Sequence, residues 1–467
     1  MRDKKNIILI LASIGTFVEA LDIAIINLTI PAIQEQFNIS YGTAQWLQTL
    51  YVLFFGGFLI IGGKLSDQLG RKKIFIIGAI IFMFTSLGAG LSTSFNSLAL
   101  FRALQGFGAA FIMPSAMSIV INTFSEGQER NKAVGIFSSF AAIGSGSGLS
   151  IGGIITTYLS WQWVFLINVP ILLITIILAY KILPTDEKNI NHSRTDFLSA
   201  ILLIAGLLTL TYGTHELINI NESPIIVIGS IVFSIFVLVL LSYRLKIVRS
   251  PLIDLNLFKY KSLLTANIAF FCLGAFFIGF LFLISLVLQK DMGYNSALTG
   301  LIMVPFSVMS ALIAKFVLPK ISKRLNSAKT SLIGWIFMLV GAISLLLAIS
   351  FGHSLYIVMV GIACISGIGM TICFTGLSIL GVQDMKASNF GIASSFTNTS
   401  YFLGGGLGLS FITLIGQFNT TNFVVGNLSV VALLIFALLA LIILIVNTTS
   451  KKYKKKLKGI INVVIKF

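Results

Sequence analysis

Apolar runs of 18 or more residues recur from one end of this 467-residue chain to the other. A run of that length crosses the hydrocarbon layer as a helix, because a helix satisfies every backbone N–H and C=O within itself. Few folds accept so many of them. With 57% hydrophobic residues, 10% charged and a mean hydropathy of +1.00, the chain falls outside the range of soluble domains and reads as an all-α polytopic membrane protein. Fourteen spans are legible, the first near 7–30 and the last near 426–446. The first lacks a small-residue cleavage site and carries two acids, so it reads as a retained helix and not a signal peptide.

The net charge of +17 is explained by where the charges lie. With the N-terminus inside, 30 of the 32 Lys and Arg fall on the cytoplasmic side or in the membrane ends next to it, leaving Lys290 outside and Arg102 within a span. This asymmetry predicts both termini in the cytoplasm of a cell-membrane protein, with lipids and not nucleic acid as the partner of the basic face. The six lysines of 451–458 read as a topology anchor that attracts anionic lipid. Cys272, Cys364 and Cys373 sit in apolar runs with no metal-ligand spacing and read as packing residues.

Two carboxylates, Glu19 and Asp22, stand three residues apart in the first span. An ionised acid at mid-membrane costs about 2.5–3.5 kcal/mol on insertion scales, which calls for a compensating use. On a helix the two project from nearly the same face, so their charges repel and the pair titrates as a coupled unit. Arg102, deep in the fourth span, keeps its charge in any environment and needs an anionic or carbonyl partner. Its depth in the span favours pairing with the first-helix acids over snorkelling to the interface.

Between the second and third spans runs Gly63-Lys-Leu-Ser-Asp67-Gln-Leu-Gly70-Arg71-Lys72-Lys73. Its lone acid can accept hydrogen bonds from helix N-terminal amides and from Arg71. The order resembles the signature loop of the major facilitator superfamily. Leu21-Asp22-Ile-Ala-Ile-Ile-Asn27-Leu-Thr-Ile-Pro31 resembles the first-helix motif of that superfamily's fourteen-helix drug:proton antiporters, and Trp46, Thr49 and Tyr51 match the same group's second helix. Phe101-Arg102-Ala-Leu-Gln105-Gly106-Phe-Gly108 resembles its fourth-helix motif. Gly135, Gly144, Gly148, Gly152 and Gly153 have the spacing of its antiporter motif, with Leu149 in the proline position. Trp161-Gln162-Trp163-Val-Phe165-Leu-Ile-Asn168-Val-Pro170 resembles its entry to the sixth helix, and the two Trp suit an outer membrane interface.

The resemblance implies the major facilitator fold, with two six-helix halves at 1–183 and 264–446. A linker at 184–263 carries two inserted spans and an amphipathic connector, and a basic tail follows at 447–467. An offset of 256 residues carries Gly135, Gly148 and Gly152 onto Gly391, Gly404 and Gly408, as two homologous halves require. The same offset sets Ala275 and Ile278 opposite Glu19 and Asp22, so charge chemistry concentrates in the first half.

The resemblance further implies multidrug efflux: a monomeric antiporter that exports lipophilic cations in exchange for protons by alternating access and confers antibiotic resistance. Glu19, Asp22 and Arg102 are its coupling residues. Asp67, Gly70, Arg71, Gly144, Gly148 and Gly152 are conformational residues, and Asp22 with Tyr51, Phe55, Phe276, Phe277 and Phe374 form the substrate surface through cation–π contacts. No cofactor is expected beyond the coupling ion, which is a proton or, alternatively, sodium at the same pair. Export of a lipid, fatty acid or anionic drug is the alternative within the same fold. Enzyme and receptor readings lack a soluble catalytic domain, a metal-ligand cluster and a nucleotide loop. His215 and Glu216 read as a solvated loop edge, and His192 and His353 as loop residues.

Overall fold

The computed structural model describes all residues except 1, 126–127, 185–195, 220–221, 249–250, 254, 353, 386–389, 419–424 and 465–467. His192 and His353 lie outside the described residues, as do the side chains of the tail lysines. Among the described residues, fourteen helices are long and apolar enough to cross a membrane. The first six are α1 (Lys4–Phe37), α2 (Tyr41–Leu69), α3 (Arg71–Gly90), α4 (Phe95–Thr123), α5 (Lys132–Tyr158) and α6 (Gln162–Ile182). Two follow as α7 (Phe197–His215) and α8 (Pro224–Ile247). The last six are α9 (Lys261–Asp291), α10 (Ser296–Ile321), α11 (Ser327–Ser350), α12 (Leu355–Val382), α13 (Ala393–Gly416) and α14 (Asn427–Thr448).

α1 begins and α14 ends on the side where the odd-numbered helices begin, here termed the terminal side. Side-chain links fix several helix ends there. Lys5 at the start of α1 bridges to Glu129 ahead of α5 at 3.0 Å, and Lys72 at the start of α3 donates to the carbonyls of Tyr180 and Leu183 at the end of α6, both at 2.7 Å. A cation on the last carbonyls of a helix satisfies acceptors that have no helical donor. Gly70, between α2 and α3, takes φ 99°, a conformation that an L side chain resists and glycine does not.

The same packing recurs in both sets of six. α1 lies along α5 as α9 lies along α13, and α4 packs on α2 and α3 as α12 packs on α11. The sets meet where α2 packs on α13 and α5 on α10. α7 and α8 pair with each other, and α7 leans on both α2 and α13. α9, apolar all round, is the most enclosed span, with 94% of its most hydrophobic stretch buried.

Glycine decides how closely α5 approaches its neighbours. A Cβ at Gly144 would strike the carbonyl of Phe17, one at Gly148 that of Leu21, and one at Gly152 the side chain of Ile25. One row of α5 therefore rides on the α1 backbone across the segment that holds Glu19 and Asp22. Gly153 faces Ser296, and Leu149 packs its backbone against Gly300, so the next face of α5 meets α10. Small residues four apart permit this approach where lipid supplies no hydrophobic drive.

The connector after α8 turns two of its leucines inward. It forms a short 3₁₀ turn at Leu255–Lys259, and Leu252 and Leu257 are buried in one cluster with Ile60, Ile61 and Ile74 of α2 and α3. Lys64 of the signature loop donates to the carbonyl of Pro251 at 2.6 Å and ties it down. The two Trp at the start of α6 also part company. Trp163 is exposed, whereas Trp161 is buried because its indole N–H donates to Gln36 Oε1 at 2.7 Å.

Candidate functional site

Asp22 and Arg102 are both fully buried and form an ion pair between α1 and α4. Arg102 Nη1 donates to Asp22 Oδ2 at 2.5 Å and to Gln105 Oε1 at 2.9 Å, while its Nε donates to the carbonyl of Leu47 on α2 at 3.1 Å. Gln105, one helical turn from Arg102, is itself held by donating to Ser86 Oγ of α3 at 2.8 Å. Asn168 of α6 donates to the other oxygen of Asp22, Oδ1, at 3.2 Å. The guanidinium lies over the ring of Tyr51 at 4.3 Å and within 5.8 Å of Phe165. Four helices besides α1 thus contribute to one buried polar knot. A planar guanidinium meets a carboxylate, an amide and a carbonyl at once, which an ammonium does not.

Glu19 stands one turn away on α1 and is also buried. It has no hydrogen bond or ion pair with any described residue, and Asp22 follows it three positions along the same helix. Three polar atoms of the knot and its stacking ring, Arg102 Nη2, Asn168 Oδ1 and Tyr51 Oη, have no hydrogen-bond partner among the described residues.

A chain of aromatic rings leads from the knot across the boundary between the sets. Tyr51 touches Phe55 edge-on at 6.0 Å, Phe55 lies 4.2 Å from Phe402, Phe402 meets Tyr401 at 5.1 Å, Tyr401 meets Phe374 at 6.0 Å, and Phe374 meets Phe270 at 5.2 Å. All but the closer Phe55–Phe402 contact fall in the range of about 4.5–7 Å that aromatic pairs prefer.

Of the residues singled out in the sequence, the structure brings together Asp22, Arg102, Tyr51, Phe55 and Phe374, with Glu19 alongside. Phe276 is directed elsewhere, packing edge-on against Trp335 of α11 at 5.8 Å, and Phe277 packs on Phe280 within its own helix. Asp67 is exposed at the end of α2, beside the Gly70 turn. His215 is half-buried, with its ring against Trp46 and Nδ1 at 3.3 Å from Glu216 Oε1, so this pair packs on the start of α2 and is not a bare loop edge.

The supporting role of Gln105 and Asn168 was not evident from the motifs that contain them, although a buried amide near a buried charge is the signal for such a role. Tyr401 and Phe402 gave no signal, because the 256-residue offset sets them opposite Ser145 and Gly146.

Comparison with known proteins agrees with this architecture. The model of the Major Facilitator Superfamily matches residues 12–409. The cephamycin export protein CmcT of Amycolatopsis lactamdurans is 30% identical over 89% of this chain and 85% of its own length. The multidrug efflux pump LfrA of Mycolicibacterium smegmatis is 28% identical over 86% of this chain and 79% of its own. Among solved structures, a D-xylose–proton symporter superposes with a TM-score of 0.67 at 15% identity, covering 94% of this chain and 96% of its own, which establishes a common fold. Fourteen apolar helices make it an integral membrane protein, and with that fold and that family match the chain belongs to the Major Facilitator Superfamily, as a transporter and not an enzyme.

Proposed function

We propose that this chain exports lipophilic, mostly cationic drugs in exchange for protons by alternating access. The observation that carries the reading is the contrast between two acids one turn apart. Asp22 is neutralised by Arg102 and hydrogen-bonded by Asn168, whereas Glu19 is buried with no hydrogen-bond or ion-pair partner among the described residues. A charged carboxylate without a counter-charge costs several kcal/mol in such a place, so Glu19 is held either by a proton or by a cationic ligand. Mutual exclusion of the two at one carboxylate is the chemistry of an antiporter.

The ring chain from Tyr51 to Phe374 supplies π faces for a bulky cation on the way to Glu19. The export direction has support from relatives that are named as export and efflux proteins. The excess of basic residues on the terminal side supports a cytoplasmic position for that side. In the outward-facing state protons reach the pair as drug leaves; in the inward-facing state they depart and the negative charge receives the next cation. Two protons in per monovalent cation out would draw on the membrane potential, at about 2.3 kcal/mol per charge per 100 mV, as well as on the pH gradient.

The test is drug-dependent proton flux in proteoliposomes carrying the wild type, Glu19→Gln or Asp22→Asn. Both variants should lose coupled flux. Unchanged coupling in both, or flux that follows sodium and not protons, would overturn the assignment. Export of an anionic amphiphile that cationic dyes do not compete with would overturn the substrate class.

A further inference from the structure

α1 contains a proline, Pro31, in its far third. Proline has no N–H, so the carbonyl of Asn27, four residues earlier, lacks its helical donor. That carbonyl is buried and is met from the second helix set: Ser285 Oγ of α9 donates to it. Ser285 in turn accepts from Gln289 Nε2 at 2.8 Å, and the other end of the same amide, Oε1, lies 2.7 Å from Ser296 Oγ at the start of α10. Ser296 Oγ also stands 3.2 Å from the carbonyl of Leu28. Over Val287–Asp291, the turn that carries Gln289, α9 widens into a π-helix. Its flanking hydroxyls hold the amide in one orientation, N–H₂ toward Ser285 and C=O toward Ser296.

We propose that Pro31 opens an acceptor on α1 which the second helix set grips through Ser285, Gln289 and Ser296, and that these four are positioning residues setting the closed state of the far end. Other contacts gather at the same end. Thr157 Oγ1 accepts from the Ala297 N–H at 2.9 Å, and Thr413 Oγ1 donates to Gln45 Oε1 at 2.6 Å. What distinguishes the Asn27 contact is that α1 cannot satisfy that carbonyl by itself. Opening the far end leaves the acceptor to water, and closing it returns the acceptor to Ser285. Bonds that exist in only one of two states bias the equilibrium between them, whatever is transported.

The inference rests on the alternating-access part of the function proposed above, and its test reads geometry, so the export reading can fail without deciding it. Spin labels on E35C and K290C, exposed at the far ends of α1 and α9, report the separation of the clasped helices in lipid nanodiscs, with Cys272, Cys364 and Cys373 replaced. Ser285→Ala should raise the population of the longer distance about fivefold, the factor for one hydrogen bond. Pro31→Ala, which returns an N–H to Asn27, should do the same. The double variant should shift no further than either single one, and Ser285→Thr should restore the short distance. Should Pro31→Ala not fold, Gln289→Ala takes its place in the cycle. Unchanged distances in the single variants, a shift in only one of them, or a double variant that shifts by the product of the two would overturn the proposal.

Discussion

Asp22 and Arg102 meet at 2.5 Å with neither side chain exposed to solvent. Each therefore depends on the other for a counter-charge. Removing one partner of a buried pair leaves an uncompensated charge and costs about 3–5 kcal/mol, whereas removing both costs less. Arg102→Leu should lower thermal stability in detergent markedly, and Asp22→Asn combined with Arg102→Leu should recover part of the loss. A double variant no more stable than Arg102→Leu alone would show that the pair is not the unit described. Arg102→Lys keeps the charge but cannot reach Leu47, Asp22 and Gln105 together, so it should retain more stability than Arg102→Leu while still losing transport.

The α5 glycines should divide by what each one touches. Gly148→Ala sets a methyl 2.8 Å from the carbonyl of Leu21 and 3.0 Å from Cβ of Ala24, which forces α1 away and should lower transport several-fold. No atom of the described residues lies within 4 Å of a Cβ at Gly135. Gly135→Ala should leave initial transport rates unchanged and stabilise the exposed helix by up to ~1 kcal/mol.

The ring chain makes a prediction about ligand affinity. Phe402→Ala or Phe55→Ala should weaken binding of an aromatic cationic dye by about 0.5–2 kcal/mol, roughly 2- to 30-fold in Kd. Phe276→Leu, whose ring faces Trp335, should leave Kd unchanged. Fluorescence titration of the purified protein distinguishes the two groups.

Ahead of α7, Asp196 caps the helix through Ser199 and receives Arg244 Nη2 from the end of α8 at 2.8 Å. Burial pushes its carboxyl up, but the hydrogen bonds from Ser199 and Arg244 outweigh that and hold it below the usual aspartate range. A depressed folded value means stability that is present above the unfolded value and lost as the pH falls through the folded one. Asp196→Asn should lower the melting temperature by about 1–2 °C at pH 7. The difference should shrink below about pH 4, where the unfolded aspartate binds its proton. A difference that persists unchanged at pH 3 would contradict the assignment.

How far the sequence carried depends on range. Helices of this length announce themselves because lipid leaves the backbone one solution, so the fourteen spans were legible from hydropathy. Glu19, Asp22 and Arg102 were legible because a charge in an apolar run demands an explanation. The division between the two acids was not legible, since it rests on Asn168 and Arg102 arriving from α6 and α4 on one side of α1. The aromatic chain was half legible for the same reason. Phe is abundant in every span, and only the packing of α2 on α13 tells Phe402, which joins the chain, from Phe276, which does not. Pro31 and Ser285 lie 254 positions apart, and no local pattern connects them.

In the proposed function, Glu19 is the acid at which proton and drug exclude one another. The most direct test is the proton release that accompanies binding of a monovalent cationic dye to the purified protein in weakly buffered detergent solution, followed with a pH indicator. The wild type should release protons in proportion to dye bound, and Glu19→Gln should bind dye more weakly and release none. Undiminished proton release from Glu19→Gln would contradict the account.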